Sequence, residues 1–165
     1  MEKKTTFFVI PARRDSKGLP LKNRKLLDYT INNIPTELHE KTIVTTNDEE
    51  IIKRLSSTKI NVLKRDEKLC LDDVNVRDVM EDVANEFHMN SEDTIVMLYL
   101  TSPSRKFSDI KKILDYYNER EIKTLTCCVE PKTHPYLCLY KKEDKKGEQV
   151  VKHDLYRRQD YPECF

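Results

Sequence analysis

Glycine is nearly missing from this sequence. Only Gly18 and Gly147 occur among 165 residues, so few positions can take a positive φ without strain. No apolar run approaches the ~20 residues that cross a bilayer. The charged start Met1-Glu2-Lys3-Lys4 leads into strand-like sequence, so no signal peptide is expected. Neither sign of charge is in excess. Thirty basic residues face twenty-nine acidic ones, a formal charge of +1, which gives no reason to expect nucleic acid or a membrane surface as partner. The five cysteines (Cys70, Cys127, Cys128, Cys138, Cys164) are odd in number and form no C-x-x-C pair. They read as reduced core residues of a reducing, cytoplasmic compartment, and their spacing does not suit zinc. The two common phosphate-loop patterns, G-x-x-x-x-G-K-[ST] and G-x-G-x-x-G, are absent.

What is present fits one domain, or one domain with a small extension. Apolar residues make up 38% and charged residues 36% of the chain, a composition that buries a core under a heavily charged surface. The stretch that organises the rest is Phe7 to Asn23. Phe7-Phe8-Val9-Ile10 reads as a buried strand ended by Pro11. A loop follows with Arg13, Arg14, Lys17 and Lys22, framed by Gly18 and Pro20. A strand emptying into a basic loop suits a polyphosphate: backbone amides approach at the glycine, and Lys and Arg neutralise the charge. The alternative is a solvated basic turn.

Further on, strand-like and helix-like segments alternate. Lys25–Asn33 reads as a helix, Lys41–Thr46 as a strand, and Asn47 as the N-cap of a helix reaching Ser56. Residues 59–64 read as a third strand and 73–88 as an amphipathic helix with Val76, Val79, Met80, Val83 and Phe87 on one face. Asp93–Leu100, the most apolar strand, is expected at the sheet centre. A helix from Ser108-Asp109 to Glu119 and a fifth strand at 123–129 complete the repeat. Beyond Pro131 the character changes: a strand at 136–140, a charged turn at 141–147 and a return at 149–151. The expected fold is therefore α/β, an open, mostly parallel sheet flanked by helices, with a short β extension at the C-terminus. Its ligand would lie outside the carboxyl ends of the strands, where the basic loop, Asn47, Arg65 and Arg105 converge.

The residues Ala12, Arg13, Ser16, Lys17, Gly18, Pro20, Lys22 and Asn23 spell A-R-x-x-S-K-G-x-P-x-K-N. This pattern resembles the signature of the CMP-sugar synthetases, cytidylyltransferases that activate sialic acids and related sugar acids, and it lies closest to the acylneuraminate branch. Weaker matches run along the chain: Arg65, Leu69 and Asp72; then Thr101, Ser102, Pro103 and Arg105; then Arg158, Gln159, Pro162 and Phe165. The resemblance implies a Rossmann-like sheet of the nucleotide-diphospho-sugar transferase type. It divides the chain into a nucleotide-binding domain at 1–130 and a partial sugar-binding and dimerisation extension at 131–165.

The resemblance also implies roles. Arg13 and Lys17 would hold the β- and γ-phosphates of CTP, and Lys22 the α-phosphate, making Lys22 and Arg13 the catalytic pair. Ala12, Ser16, Gly18, Asn23 and Arg65 would complete the nucleotide site. Tyr99, Thr101, Ser102, Arg105, Arg158 and Gln159 would face the sugar acid. Mg²⁺ would act with CTP, with no metal-ligating residue assigned in this chain. The partners implied are CTP, a sugar acid and a second copy of the chain. The sequence departs from the family where Tyr99 replaces a Gln, Leu137 a Lys, and Val74-Asn75-Val76 a small polar run. A Gly-Lys-Pro turn ahead of the first helix is also missing, and the family's Asp-x-Asp metal segment would lie past Phe165. His134 and His153 read either as general bases or as turn histidines. The function read from the sequence is a cytidylyltransferase for a sialic acid or related 2-keto sugar acid. The alternatives are an incomplete nucleotide-binding remnant or an enzyme for a different sugar acid.

Overall fold

In the computed structural model the described residues are 4–16, 18–120, 122–143, 146–155 and 157–165, with the side chain of Arg158 left aside. The chain divides into two compact units, Met1–Tyr116 and Tyr117–Phe165. The first unit is built from β1 (Thr6–Pro11), α1 (Lys22–Ile31), β2 (Thr42–Thr46), α2 (Glu49–Leu55), β3 (Asn61–Lys64), α3 (Val76–Glu86), β4 (Thr94–Met97) and α4 (Phe107–Asn118). All four strands are parallel, in the order β3-β2-β1-β4.

The apolar run of β1 and the complete burial of β2 (Thr-Ile-Val-Thr-Thr) reflect cover on both faces of a parallel sheet. On one face Phe8, Ile10 and Val44 pack with Leu27 and Ile31 of α1, Ile51 and Leu55 of α2, and Ile110 of α4. On the other, Val9 and Ile43 meet Val83 of α3, flanked by Met80 and Phe87. Register follows the same logic: Val9 pairs with Ile43 on one side and with Met97 on the other. Because the strands are parallel, the loops after β1, β2, β3 and β4 all leave from one rim.

Two sequence expectations are corrected here. The Asp93–Leu100 segment is a short strand at the sheet edge, not at its centre; β1 and β2 hold the middle. Its residues are only half-buried because a neighbouring strand covers one side alone. The strand expected at 123–129 does not form, and its described residues are exposed. Strand propensity there finds no ladder to join. The cysteines are free, as expected, but none lies in the core, and Cys127 and Cys128 are exposed. No helix among the described residues is long and apolar enough to cross a membrane.

Glycine scarcity has a structural consequence. Among the described residues two take positive φ, and both carry side chains: Leu21 (φ 56) and His88 (φ 49). His88 closes α3. The amides of His88 and Met89 reach back to the carbonyls of Asn85 (3.1 Å) and Ala84 (2.9 Å), the bonding of a left-handed helix stop.

The second unit contains a two-stranded antiparallel hairpin, β5 (Leu139–Lys141) and β6 (Gly147–Gln149). The strand expected at 136–140 is instead a 3₁₀ turn, Pro135–Leu137, followed by β5, because Pro135 sits at the start of the turn and His134 caps it. His134, Tyr136, His153 and Tyr161 form a ring cluster in which Tyr136 and His153 stack at 4.5 Å. Each imidazole is fixed at both nitrogens. Nδ1 of His134 accepts from the Tyr136 amide, and Nδ1 of His153 from the Leu155 amide. Each Nε2 faces a carbonyl at 2.9 Å, Pro162 for His134 and Tyr136 for His153. A carbonyl only accepts, so both rings are neutral Nε2–H tautomers with no lone pair to spare. They serve as turn histidines, not bases. His153→Ala should leave the Tyr136 carbonyl without its donor and weaken this unit by about 1–3 kcal/mol. Hydrogen exchange checks this, with faster exchange expected at the Leu155 amide, which loses its acceptor, and none of the change at β1.

Candidate functional site

Pro11 has no amide hydrogen, so the ladder of β1 ends and the chain lifts into the 12–21 loop. The loop is suspended from the tip of β2. The Ala12 amide donates to the Thr45 carbonyl at 2.9 Å, and the Thr46 hydroxyl donates to the Ala12 carbonyl. Next, the Arg14 amide donates to Oδ1 of Asn47 at 2.8 Å. From the far end of the loop, Nδ2 of Asn23 donates to the Arg13 carbonyl at 2.7 Å. Asn23 is buried, so its amide group shapes the loop from within. Asn47 is likewise not a helix cap: its Oδ1 holds Arg14, its Nδ2 donates to Glu67 at 2.9 Å, and Asp48 caps α2 in its place.

Two of the helix N-termini on this rim, those of α1 and α2, are electrostatic opposites. α2 begins with Asp48, whose carboxylate accepts from the Glu50 amide, and continues with Glu49 and Glu50. Its positive dipole end is answered within the chain. α1 begins after Leu21, which offers no side-chain cap, and its first turn contains no acid. Lys22, Arg24 and Lys25 stand there instead. Cations at the positive end of a helix are unfavourable unless an anion joins them. One of the three is satisfied internally: Nε of Arg24 meets Oδ2 of Asp48 at 2.7 Å. Burial alone would raise the Asp48 carboxyl, but Arg24 and the Glu50 amide outweigh it and hold it below the usual carboxylate range. Lys22 has no ion-pair partner among the described residues.

The loop after β3 forms the third side. Arg65 is buried and spent on Thr45, with Nε on the hydroxyl (3.1 Å) and Nη2 on the carbonyl (2.8 Å). Burial pushes its guanidinium down from the usual arginine range. Arg13 reaches across to this loop, Nη1 to the Cys70 carbonyl at 2.9 Å and Nη2 to Oδ1 of Asp72 at 2.6 Å. Ser16 is half-buried. Gly18 is exposed, and a Cβ built on it would meet nothing within 4 Å, so the chain itself does not require glycine there.

The structure thus gathers Ala12, Arg13, Asn23 and Arg65 around the β2 tip, with Lys22 opening α1. Lys17 lies outside the described residues. The residues after β4 take another place. Nη2 of Arg105 donates to the Tyr99 carbonyl at 3.2 Å. Ser102 and Arg105 line a cavity of about 10 Å³ with Thr30 and Asn33, near the far end of α1. Thr30 is about 12 Å of helix rise from Lys22. Tyr99 and Thr101 are exposed. In the second unit, Gln159 is exposed on the 3₁₀ turn Arg158–Asp160. Sequence reasoning missed Thr46, Asp48 and Arg24, and took Asp72 only as a matched position of a segment that contacts the nucleotide in the family, not as a partner of Arg13. The readable signal was the run Thr45-Thr46-Asn47-Asp48, short polar side chains suited to bonding nearby backbone at a strand end. Among the described residues no three His, Cys, Asp or Glu side chains gather as a metal site, and Asp48 and Asp72 are each held by a guanidinium. The described residues do not fit a metal held by the protein alone.

This geometry sets the stability of three variants. Leucine in the left-handed region costs about 1–2 kcal/mol, part of which a glycine returns as chain entropy. Leu21→Gly is therefore expected to stabilise the fold by roughly 0.5–1 kcal/mol, read as a higher midpoint in denaturant. Asp48→Ala removes a cap and strands Arg24, a loss of roughly 2–4 kcal/mol. The pH dependence has a definite sign. A carboxyl lowered in the folded state stabilises above its unfolded value of ~3.9 and loses that contribution as pH falls through the folded value. Melting curves of Asp48→Asn should accordingly fall less steeply than those of the parent chain below about pH 4.

The cytidylyltransferase family model matches residues 7–165. The chain is 30% identical over 162 residues to an N-acylneuraminate cytidylyltransferase of Streptococcus agalactiae serotype V, and equally so to those of serotypes III and Ia. Each alignment covers 92% of this chain and 39% of the relative, so the chain spans about two-fifths of the length of these curated relatives. A parallel sheet, a basic loop hung from the tip of its second strand, and a family match over nearly the whole chain agree: the chain belongs to the cytidylyltransferase family.

Proposed function

We propose that this chain carries the nucleotide part of a cytidylyltransferase site. It would transfer CMP from CTP to the anomeric hydroxyl of a sialic acid or related 2-keto sugar acid. The observation that carries this reading is the start of α1, an uncapped helix N-terminus with no acid and a basic first turn, beside the Arg13 loop. Such a terminus attracts a polyphosphate. The relatives named for N-acylneuraminate supply the acceptor class.

In the proposed reaction the acceptor oxygen forms a bond to the α-phosphorus. The bond from that phosphorus to the bridging oxygen breaks, pyrophosphate leaves with the electron pair, and the hydroxyl proton passes to solvent. Charge grows on the bridging oxygen and on the α-phosphate. Positioning and electrostatic stabilisation govern such transfers. Lys22, at the first position of α1, supplies a mobile cation there. Arg13 supplies a planar fork for the outer phosphates. Asn23 acts indirectly by fixing the Arg13 backbone, and Arg65 by fixing the β2 tip. Mg²⁺ is proposed to arrive with CTP, and no step is routed through it.

A thermal melt with millimolar CTP tests the reading, with ATP as control. Ligand at ~100 times its dissociation constant adds about 2.7 kcal/mol, so a clear rise with CTP is expected. Lys22→Ala should reduce the rise. Gly18→Ala should keep the unliganded melting temperature while losing the CTP shift, since the added methyl meets only the ligand. Pyrophosphate release with sialic and octulosonic acids then identifies the acceptor. No rise with CTP would remove the nucleotide reading.

A further inference from the structure

Arg13 already holds an anion. Its Nη1 donates to the Cys70 carbonyl at 2.9 Å and its Nη2 to the Asp72 carboxylate at 2.6 Å. Two neighbouring nitrogens of one guanidinium thus meet two oxygens, the fork arrangement that recognises phosphate. Both oxygens come from one short segment. The 3₁₀ turn Glu67–Cys70 is capped by Asp66, whose carboxylate accepts from the Lys68 amide at 2.8 Å. It is tied to the β2 tip through Glu67 and Asn47. Asp72 lies just beyond the turn. The pair is open to solvent, with side-chain exposures of 30% for Arg13 and 48% for Asp72, so an incoming phosphate can reach it.

We propose that Asp72 occupies on Arg13 the place of a nucleotide phosphate, as a built-in competitor that the ligand displaces. The proposal rests on the nucleotide reading above. In the unliganded chain the carboxylate keeps the long Arg13 side chain extended across the rim and neutralises it. When a phosphate arrives, the guanidinium exchanges one oxyanion for another and Asp72 gives up its contact with Arg13. No bond to phosphorus is made or broken in this exchange. Asp72 is a positioning residue, and its effect depends on the charge of the ligand and not on the base.

The test is titration calorimetry of the full chain, its Asp72→Asn variant and its Asp72→Glu variant, with CTP and with cytidine, at low and high salt. An exposed ion pair contributes about 0.2–1 kcal/mol, so Asp72→Asn should bind CTP up to about five-fold more tightly at low salt. The gain should shrink as salt screens the pair. Asp72→Glu keeps the charge and should show no gain. Cytidine, lacking phosphates, should respond to neither change. Equal or weaker CTP binding by Asp72→Asn, with the parent chain binding normally, overturns this proposal and leaves the nucleotide reading in place. If neither the parent nor Asp72→Asn binds CTP, the nucleotide reading falls and this proposal falls with it.

Discussion

The pairing of Arg24 with Asp48 is the constraint on which the rim depends. It joins the first turn of α1 to the residue that caps α2, at 2.7 Å, with the Asp48 side chain 1% exposed. A buried carboxylate is tolerated only when its charge is answered and its remaining lone pairs are filled. Arg24 answers the charge and the Glu50 amide takes the other oxygen. The Asp48 amide in turn donates to the Thr46 hydroxyl, which donates to Ala12. One chain of hydrogen bonds therefore runs from α1 through Asp48 and Thr46 to the start of the basic loop. The start of the loop is fixed on Thr45 and Thr46, and the helix that follows it is fixed on Asp48, two residues further along.

That arrangement sorts the cations. Three arginine side chains near the tip are committed to the fold: Arg24 to Asp48, Arg65 to Thr45, and Arg13 to Asp72 and Cys70, while Arg14 is held there by its amide and its side chain lies by Asp15. Their planar forks suit fixed, directional bonds, whereas the lysine ammonium is a flexible, strongly hydrated point charge. Lys22 and Lys25 are the cations in the first turn of α1 that have no ion-pair partner among the described residues. Arginine side chains build the frame here, and the lysine at the first position of α1 takes no part in it. The loop backbone is itself held at Ala12, Arg13 and Arg14, by Thr45, Asn23 and Asn47 respectively.

Much of this was legible in the sequence, and the gaps have physical causes. Alternating strand and helix segments gave the parallel sheet, because double-faced burial writes itself as continuous apolar runs such as Phe7–Ile10. The basic loop was visible from Arg13 to Asn23 for the same kind of local reason. Sheet order was not visible: Asp93–Leu100 is the most apolar segment yet lies at the edge, since apolarity reports cover by helices as much as by strands. Helix capping went to Asp48 although Asn47 is an equally good cap by type, because Asn47 is needed by Arg14 and Glu67, partners distant in sequence. Asp72 matched a pattern without its pairing being legible for a similar reason. Its partner, Arg13, is 59 residues away, and nothing local signals such a pair.

The scarcity of glycine connects these points. A loop that must turn sharply into a helix requires a left-handed residue, and here that residue is Leu21, directly before Lys22. Strain of this kind persists only where surrounding bonds over-determine the backbone. Around Leu21 those bonds are visible: the Lys22 amide reaches the Leu19 carbonyl, the Lys25 amide reaches the Leu21 carbonyl, and Asn23 anchors Arg13. The β2 tip thus does more than position side chains. By holding Ala12 and Arg24 together, it sustains an unfavourable backbone at the point where Lys22 is presented. Loosening the Asp48 pair would therefore be felt first at Leu21, and through it at the mouth of α1.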